Sequence, residues 1–162
     1  MLKKFIDMMP FKDTLQNTLR WFELAVPSPD RQNFNTQLGV HVEEFNEMLE
    51  TLSPQTVAGK QLLIKTIFHV EKLAHFLKNN PNAVVVTVDQ RMDFLDSLCD
   101  QIVTATGTGY MQGLDVPAAL AEQVNPSNFS KFDQQTGEPI FNENKKVMKG
   151  PAYIKADLSS YV

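Results

Sequence analysis

Four breaks decide what this chain can become: Pro27-Ser28-Pro29, Ser53-Pro54, Asn79-Asn80-Pro81 and the glycines Gly107, Gly109 and Gly113. Proline lacks a backbone donor and disfavours helix in the residue before it, so helices stop at such points. Between the breaks, apolar residues recur at helical spacing. The spacing predicts a first helix from about Lys12 to Ala25, with Leu15, Leu19, Phe22 and Val26 on its stripe. A second follows Asp30, whose side chain can cap it, and carries Leu38, Val42, Phe45, Leu49 and Leu52. The third runs from about Gln55 to Leu77 with Leu62, Leu63, Ile67, Val70 and Leu73. A fourth starts near Asp89 and passes Leu95, Leu98 and Ile102, and a short fifth runs from Pro117 to near Val124.

The branched run Ala83-Val84-Val85-Val86-Thr87-Val88 favours extended backbone. With no second strand to pair with it, it reads as a connector. From Asn125 onward the chain is rich in Asn, Lys, Gly and Pro and loses apolar periodicity, which predicts an irregular arm. The expectation is therefore a single all-α domain over residues 1–162, an antiparallel helical bundle with its core at about 12–125 and a C-terminal arm at about 126–162.

A formal charge of −4 offers no basic footprint for a nucleic acid polymer. No apolar stretch approaches the roughly 20 residues that span a bilayer, and Lys12-Asp13 cuts short the apolar start, so neither membrane insertion nor a signal peptide is expected. The single cysteine, Cys99, excludes an intramolecular disulfide and fits a reducing cytoplasm. It falls beside Leu95 and Leu98, where a buried, inert thiol is expected.

The sharpest chemical feature is His41-Val42-Glu43-Glu44-Phe45-Asn46-Glu47-Met48-Leu49-Glu50, four carboxylates in about two helical turns. Glu44 and Glu47 have the i, i+3 spacing that lets both reach one metal ion. Asp93, Asp96 and Asp100 form a second acidic face, within roughly 60° on a helical wheel. Acidic residues opposite an apolar stripe are most simply a solvated face. Against that, no Lys or Arg lies between Arg31 and Lys60 or between Arg91 and Lys131, whereas solvated faces interleave both signs. Carboxylates gathered without counter-ions repel one another unless a cation sits among them, and Mg²⁺ is the hard, oxygen-seeking choice. The missing positive charge returns late in the chain as Lys131, Lys145, Lys146, Lys149 and Lys155, either to contact phosphates or to balance the acids.

These motifs resemble the all-α nucleoside triphosphate pyrophosphohydrolases of the MazG and phosphoribosyl-ATP pyrophosphohydrolase-like group. The first motif of that group, Glu-x-x-Glu, is present as Glu44-Phe45-Asn46-Glu47, and the second, Glu-x-x-Asp, is approximated by Asp96-Ser97-Leu98-Cys99-Asp100. Counted back from Asp100, the family glutamate falls on Ser97, so Asp96 or Asp93 must replace it. Ser127-Asn128-Phe129-Ser130-Lys131 and Lys149-Gly150-Pro151-Ala152-Tyr153 extend the likeness over about residues 33 to 158.

The resemblance implies Mg²⁺, with Mn²⁺ as a substitute, held by Glu44, Glu47, Asp96 and Asp100, and Glu43 or Glu47 as the base. It implies Asn128, Lys131, Lys149 and Tyr153 as contacts to a nucleoside triphosphate, monophosphate and pyrophosphate as products, and a homodimer or homotetramer. The competing expectation is a non-catalytic helical module that binds a nucleotide or a protein. Glu-x-x-His pairs of di-metal oxidoreductases and a P-loop Lys-Ser or Lys-Thr after the glycines are both absent.

Overall fold

The computed structural model describes residues 13–162, so the predicted start of the first helix at Lys12 lies outside the described residues. These residues are mostly helical and include no β-strand. Helix α1 spans Thr14–Ala25, α2 Arg31–Glu50, α3 Val57–Asn79, α4 Arg91–Met111, α5 Val116–Ala119 and α6 Asn125–Phe129, with a π-helical turn at Leu120–Val124. Helices α1, α2 and α3 begin where side chains satisfy their first backbone donors. Asp13 accepts from the Gln16 N–H at 3.0 Å, Thr56 from Gly59 at 3.0 Å, and Asp30 from Asn33 at 2.9 Å. Asn33 returns the bond to the Asp30 N–H, closing a capping box at the start of α2.

Contacts gather the chain into two compact units, residues 28–85 with 141–146, and the segment up to Pro27 with 86–140 and 147–162. In the first unit α2 meets α3 through small and polar residues. The buried positions are Asn35, Thr36, Gly39 and Asn46 on α2, and Ala74 and Leu77 on α3. Gly39 sets the distance between the helices. A Cβ there would sit 2.6 Å from Lys78 Cγ and 2.9 Å from both the Ala74 carbonyl oxygen and the Lys78 nitrogen.

Asn35, fully buried, donates to the carbonyls of Pro81 (3.1 Å) and Val84 (3.2 Å) and accepts from the Val84 N–H (2.9 Å). Those bonds occupy backbone groups that a strand would need, so the valine run stays an extended connector, as its branched residues without a pairing strand predict. Residues 141–146 are tied to the same helices, because Thr36 Oγ1 donates to the Asn144 carbonyl (2.8 Å) and Asn144 Nδ2 to Asn79 Oδ1 (3.0 Å).

The second unit is built on Trp21, Ala25, Phe129 and Phe132, with Phe22, Leu24, Val26, Val147 and Ile154 packed around them. Trp21 and Phe132 stack with ring centroids 5.8 Å apart. Half of this core comes from the stretch that composition reads as an irregular arm. The segment is buried because its polar groups are paired rather than absent. Asn125 donates to the Thr14 carbonyl (3.0 Å) and accepts from Thr18 Oγ1 (3.0 Å). Ser130 Oγ donates to the Ser127 carbonyl (2.7 Å) and accepts from the Ile154 N–H (2.8 Å).

The apolar stripes predicted to form the core are half-buried or exposed rather than fully buried. The buried face of α1 is Asn17, Trp21 and Ala25, while Leu15 and Leu19 are exposed. Phe45 and Met48 of α2, Leu52 just beyond it, Leu62, Phe68, Leu73 and Phe76 of α3, and Leu95 and Ile102 of α4 are exposed as well. Gly109 is the buried residue of α4, and Cys99 is exposed, which corrects the expectation of a buried thiol.

Gly39 carries the first prediction. Helix propensity alone would make Gly39→Ala stabilising by about 1 kcal/mol. Contact with backbone atoms of α3 reverses the sign, and a net loss of roughly 1–2 kcal/mol in urea unfolding is expected. A gain in stability would show that the helices do not meet at Gly39.

Candidate functional site

The residues singled out by sequence fall into two sets. Glu43, Glu44 and Glu47 lie on α2 in the first unit; Asp96, Asp100, Asn128, Lys131, Lys149 and Tyr153 lie in the second.

On α2 the three glutamates differ in environment. Glu43 points along the contact with α3 and is hydrogen-bonded by the ammonium groups of Lys78 and of Lys146, the latter at 2.9 Å. Partial burial pushes its carboxyl up, but the hydrogen bonds from Lys78 and then Lys146 outweigh burial and hold it below the ordinary glutamate range. Glu44 and Glu47 are exposed, one turn apart, and make no ion pair among the described residues. Glu50 accepts from Asn46 Nδ2 at 3.1 Å, while the buried Oδ1 of Asn46 has no hydrogen-bond partner among the described residues.

Asp96 and Asp100 are likewise exposed on α4, one turn apart, and unpaired among the described residues. Each helix thus presents two ionisable oxygen donors of the kind that suits Mg²⁺. Among the described residues, no three His, Cys, Asp or Glu side chains are gathered into a group that could hold a metal ion.

The other four residues form two connected pairs. Lys131 Nζ donates to Asn128 Oδ1 at 2.8 Å and lies 5.8 Å from the centre of the Trp21 ring. Trp21 Nε1–H in turn donates to the Asn128 carbonyl at 2.9 Å. Lys149 Nζ lies 4.9 Å above the Tyr153 ring, within cation–π range, and the Tyr153 N–H bonds to the Gly150 carbonyl at 3.1 Å. Gly150 joins the two pairs. It is buried, and a Cβ there would stand 2.8 Å from the Lys131 carbonyl oxygen, so only a glycine lets residues 149–153 pass this close to Lys131.

Sequence reasoning missed Trp21. It is the one tryptophan of the chain and sits four residues before the buried Ala25, but its spacing carries no sign of a contact more than a hundred residues away. The tail lysines divide. Lys145 pairs with Asp30 and Lys146 with Glu43, balancing acids of the first unit, whereas Lys131 and Lys149 stand with Asn128 and Tyr153. Comparison with protein-family models, with curated proteins and with solved structures finds no match to this chain.

Glu43 gives a pH-dependent prediction. Its carboxyl is depressed in the fold, so the stability it contributes is present above the ordinary glutamate range and is lost as pH falls through its lowered value. Glu43→Gln is expected to lower stability at pH 7, with the gap to the parent closing as both are acidified below pH about 4. A gap that stays constant well below that pH would mean that the two lysines do not stabilise the charge.

Proposed function

We propose that the chain is a nucleotide pyrophosphohydrolase, dependent on Mg²⁺ or Mn²⁺, that converts a nucleoside triphosphate to monophosphate and pyrophosphate. The observation that carries this reading is the division among neighbouring acids on α2. Glu43 is taken by two lysines, while Glu44 and Glu47 are exposed and, among the described residues, make no ion pair, at metal-ligand spacing. The assembled Asn128–Lys131 and Lys149–Tyr153 pairs support the same reading from the phosphate and base side.

In this scheme Glu44 and Glu47 on α2 and Asp96 and Asp100 on α4 would supply the metal ligands, and the metal would contribute charge neutralisation at the phosphates. Lys131 and Lys149 bind the polyphosphate, and Tyr153 lies against the base. Glu47 takes the proton of the attacking water. Glu43 is the weaker choice of base, because a carboxylate held by two ammonium groups is a poor proton acceptor. The oxygen of water bonds to phosphorus as the bridging oxygen leaves with pyrophosphate.

The family resemblance also implies a homodimer or homotetramer, and the exposed stripes give that proposal physical content. Phe45 and Met48 on α2 and Leu62, Leu73 and Phe76 on α3 would be covered by the same helices of a second copy. Charge favours such a pairing, since α2 carries Glu43, Glu44, Glu47 and Glu50 while α3 carries Lys60, Lys65, Lys72 and Lys78. A second functional reading, a non-catalytic module, is favoured by Ser97 at the family's acidic position and by the dispersed acids of the described residues.

The deciding experiment measures pyrophosphate release from a panel of ribo- and deoxyribonucleoside triphosphates. Release is expected with Mg²⁺, absent with chelator, and reduced by at least about a hundredfold in Glu47→Gln without loss of helix content. Nucleotide binding without release from any substrate would establish the non-catalytic module. Sedimentation of the parent is expected to give a dimer or tetramer that Phe45→Glu with Leu73→Glu dissociates, and a monomeric parent would remove the assembly proposal.

A further inference from the structure

One ammonium group is enough to balance one carboxylate, yet Glu43 has two. Lys78 comes from α3 and bonds Oε1, and its side chain is 19% exposed. Lys146 comes from residues 141–146 and bonds Oε2 at 2.9 Å, and its side chain is 41% exposed. If Lys146 leaves, Glu43 still has Lys78. The outer ion pair can therefore open without stranding a charge between the helices, which is what makes breaking a buried pair costly.

The segment that carries Lys146 is fastened by polar bonds and not by burial. None of residues 141–146 is buried, and the one apolar side chain among them, Phe141, is 41% exposed. Its ties to α2 and α3 are Lys146 to Glu43, Thr36 Oγ1 to the Asn144 carbonyl and Asn144 Nδ2 to Asn79 Oδ1, with Lys145 bonded to the Asp30 cap. The turn itself is held from within. Asn142 Oδ1 accepts from the N–H groups of Asn144 (3.0 Å) and Lys146 (2.9 Å), and the Asn142 N–H donates to the Lys146 carbonyl (3.0 Å). A self-contained turn attached by partly exposed polar bonds can lift away at low cost while the helices beneath it stay formed.

The place of the second ammonium gives its release a consequence. Glu47 follows Glu43 by about one turn and roughly 40° around the helix, and Glu44 is the next residue in sequence. A divalent cation on Glu44 and Glu47 stands within about a helical turn of the ammonium on Glu43, and like charges at that range repel. Lys78 is held in the contact between α2 and α3, so Lys146 is the one that can yield.

We propose that residues 141–146 form a cation-responsive latch on α2: Lys146 occupies Glu43 while Glu44 and Glu47 are without a metal, and lets go when they take a divalent cation. The inference rests on the proposed metal role of Glu44 and Glu47, and it adds a means of regulating that site. Linkage between the two events is reciprocal. The factor by which the cation weakens the Lys146 pair is the factor by which that pair weakens the cation.

The test uses the intact chain and Mg²⁺, with ionic strength held constant by NaCl so that general screening does not change. Two readouts need no turnover: calorimetric Mg²⁺ affinity, and the rate of amine acylation at each lysine resolved by peptide mass spectrometry. Mg²⁺ is expected to speed acylation of Lys146 about fivefold or more, while Lys78 stays slow, and Lys146→Gln is expected to bind Mg²⁺ more tightly by a similar factor. Lys155→Gln removes the same charge from an exposed residue outside the 28–85 and 141–146 unit. Its affinity should stay within about twofold of the parent, because distant exposed charges are screened.

Lys146 acylation that Mg²⁺ does not change, a Lys146→Gln affinity no tighter than the parent, equal tightening in Lys155→Gln, or no Mg²⁺ binding by the parent would each overturn the latch. Lys146→Gln should keep parental helix content, since Lys78 still pairs Glu43; should it fail to fold, acylation of the parent decides. The two readings fail separately. Mg²⁺-dependent pyrophosphate release with unchanged Lys146 acylation removes the latch and keeps the enzyme, whereas Mg²⁺-dependent acylation with no pyrophosphate from any nucleotide does the reverse.

Discussion

The close approach of α2 and α3 at Gly39 governs how the rest of the first unit is used. Two helices that meet over a glycine and flanking Asn35, Thr36 and Asn46 have their facing sides fixed, and the helical repeat then places every other side chain. Gly39 and Asn46 are two turns apart, so both face α3. At 100° per residue, Glu43 falls roughly 50° from that direction, Glu47 roughly 90° and Glu44 roughly 150°. One rotation therefore sends Glu43 to Lys78 and Lys146 and leaves Glu44 and Glu47 facing outward. The same rotation turns Phe45 and Met48 away from α3.

Charge follows a similar logic. The acidic helices lack basic neighbours in sequence, and the fold supplies some from the far end of the chain: Lys145 to the Asp30 cap and Lys146 to Glu43. These pairs secure residues 141–146 on α2 and, being partly exposed, add little stability beyond that anchoring. In the second unit Lys131 donates to the Asn128 amide and Lys149 lies over the Tyr153 ring. The proposed chemistry uses what the ion pairs leave over: outward carboxylates on α2 and α4, and ordered ammonium groups near α6.

Much of the helical order was legible because breaks and caps are local. Pro27-Ser28-Pro29 and Ser53-Pro54 end their helices where proline must, and Asp30 caps α2 with its own side chain. The burial pattern was not legible. Apolar periodicity assumes that the apolar stripe is the inner one, yet α1 buries Asn17, Trp21 and Ala25 while Leu15 and Leu19 are exposed. The segment from Asn125 to Phe132 failed as a reading for the opposite reason. Its burial depends on specific hydrogen bonds to Thr14, Thr18 and Ile154, which composition does not encode. Of the candidate site, the acid pairs and the Asn128–Lys131 spacing were visible as motifs, whereas Trp21 and the occupation of Glu43 depend on contacts distant in sequence.

The proposed activity is defined by which phosphoanhydride bond is cut. Phosphorus NMR of a nucleoside triphosphate incubated with the protein and Mg²⁺ reads this directly. Paired growth of monophosphate and pyrophosphate resonances, with no diphosphate at any time, is the predicted result. Diphosphate with inorganic phosphate, or an unchanged triphosphate spectrum for every nucleotide that the protein binds, would contradict it.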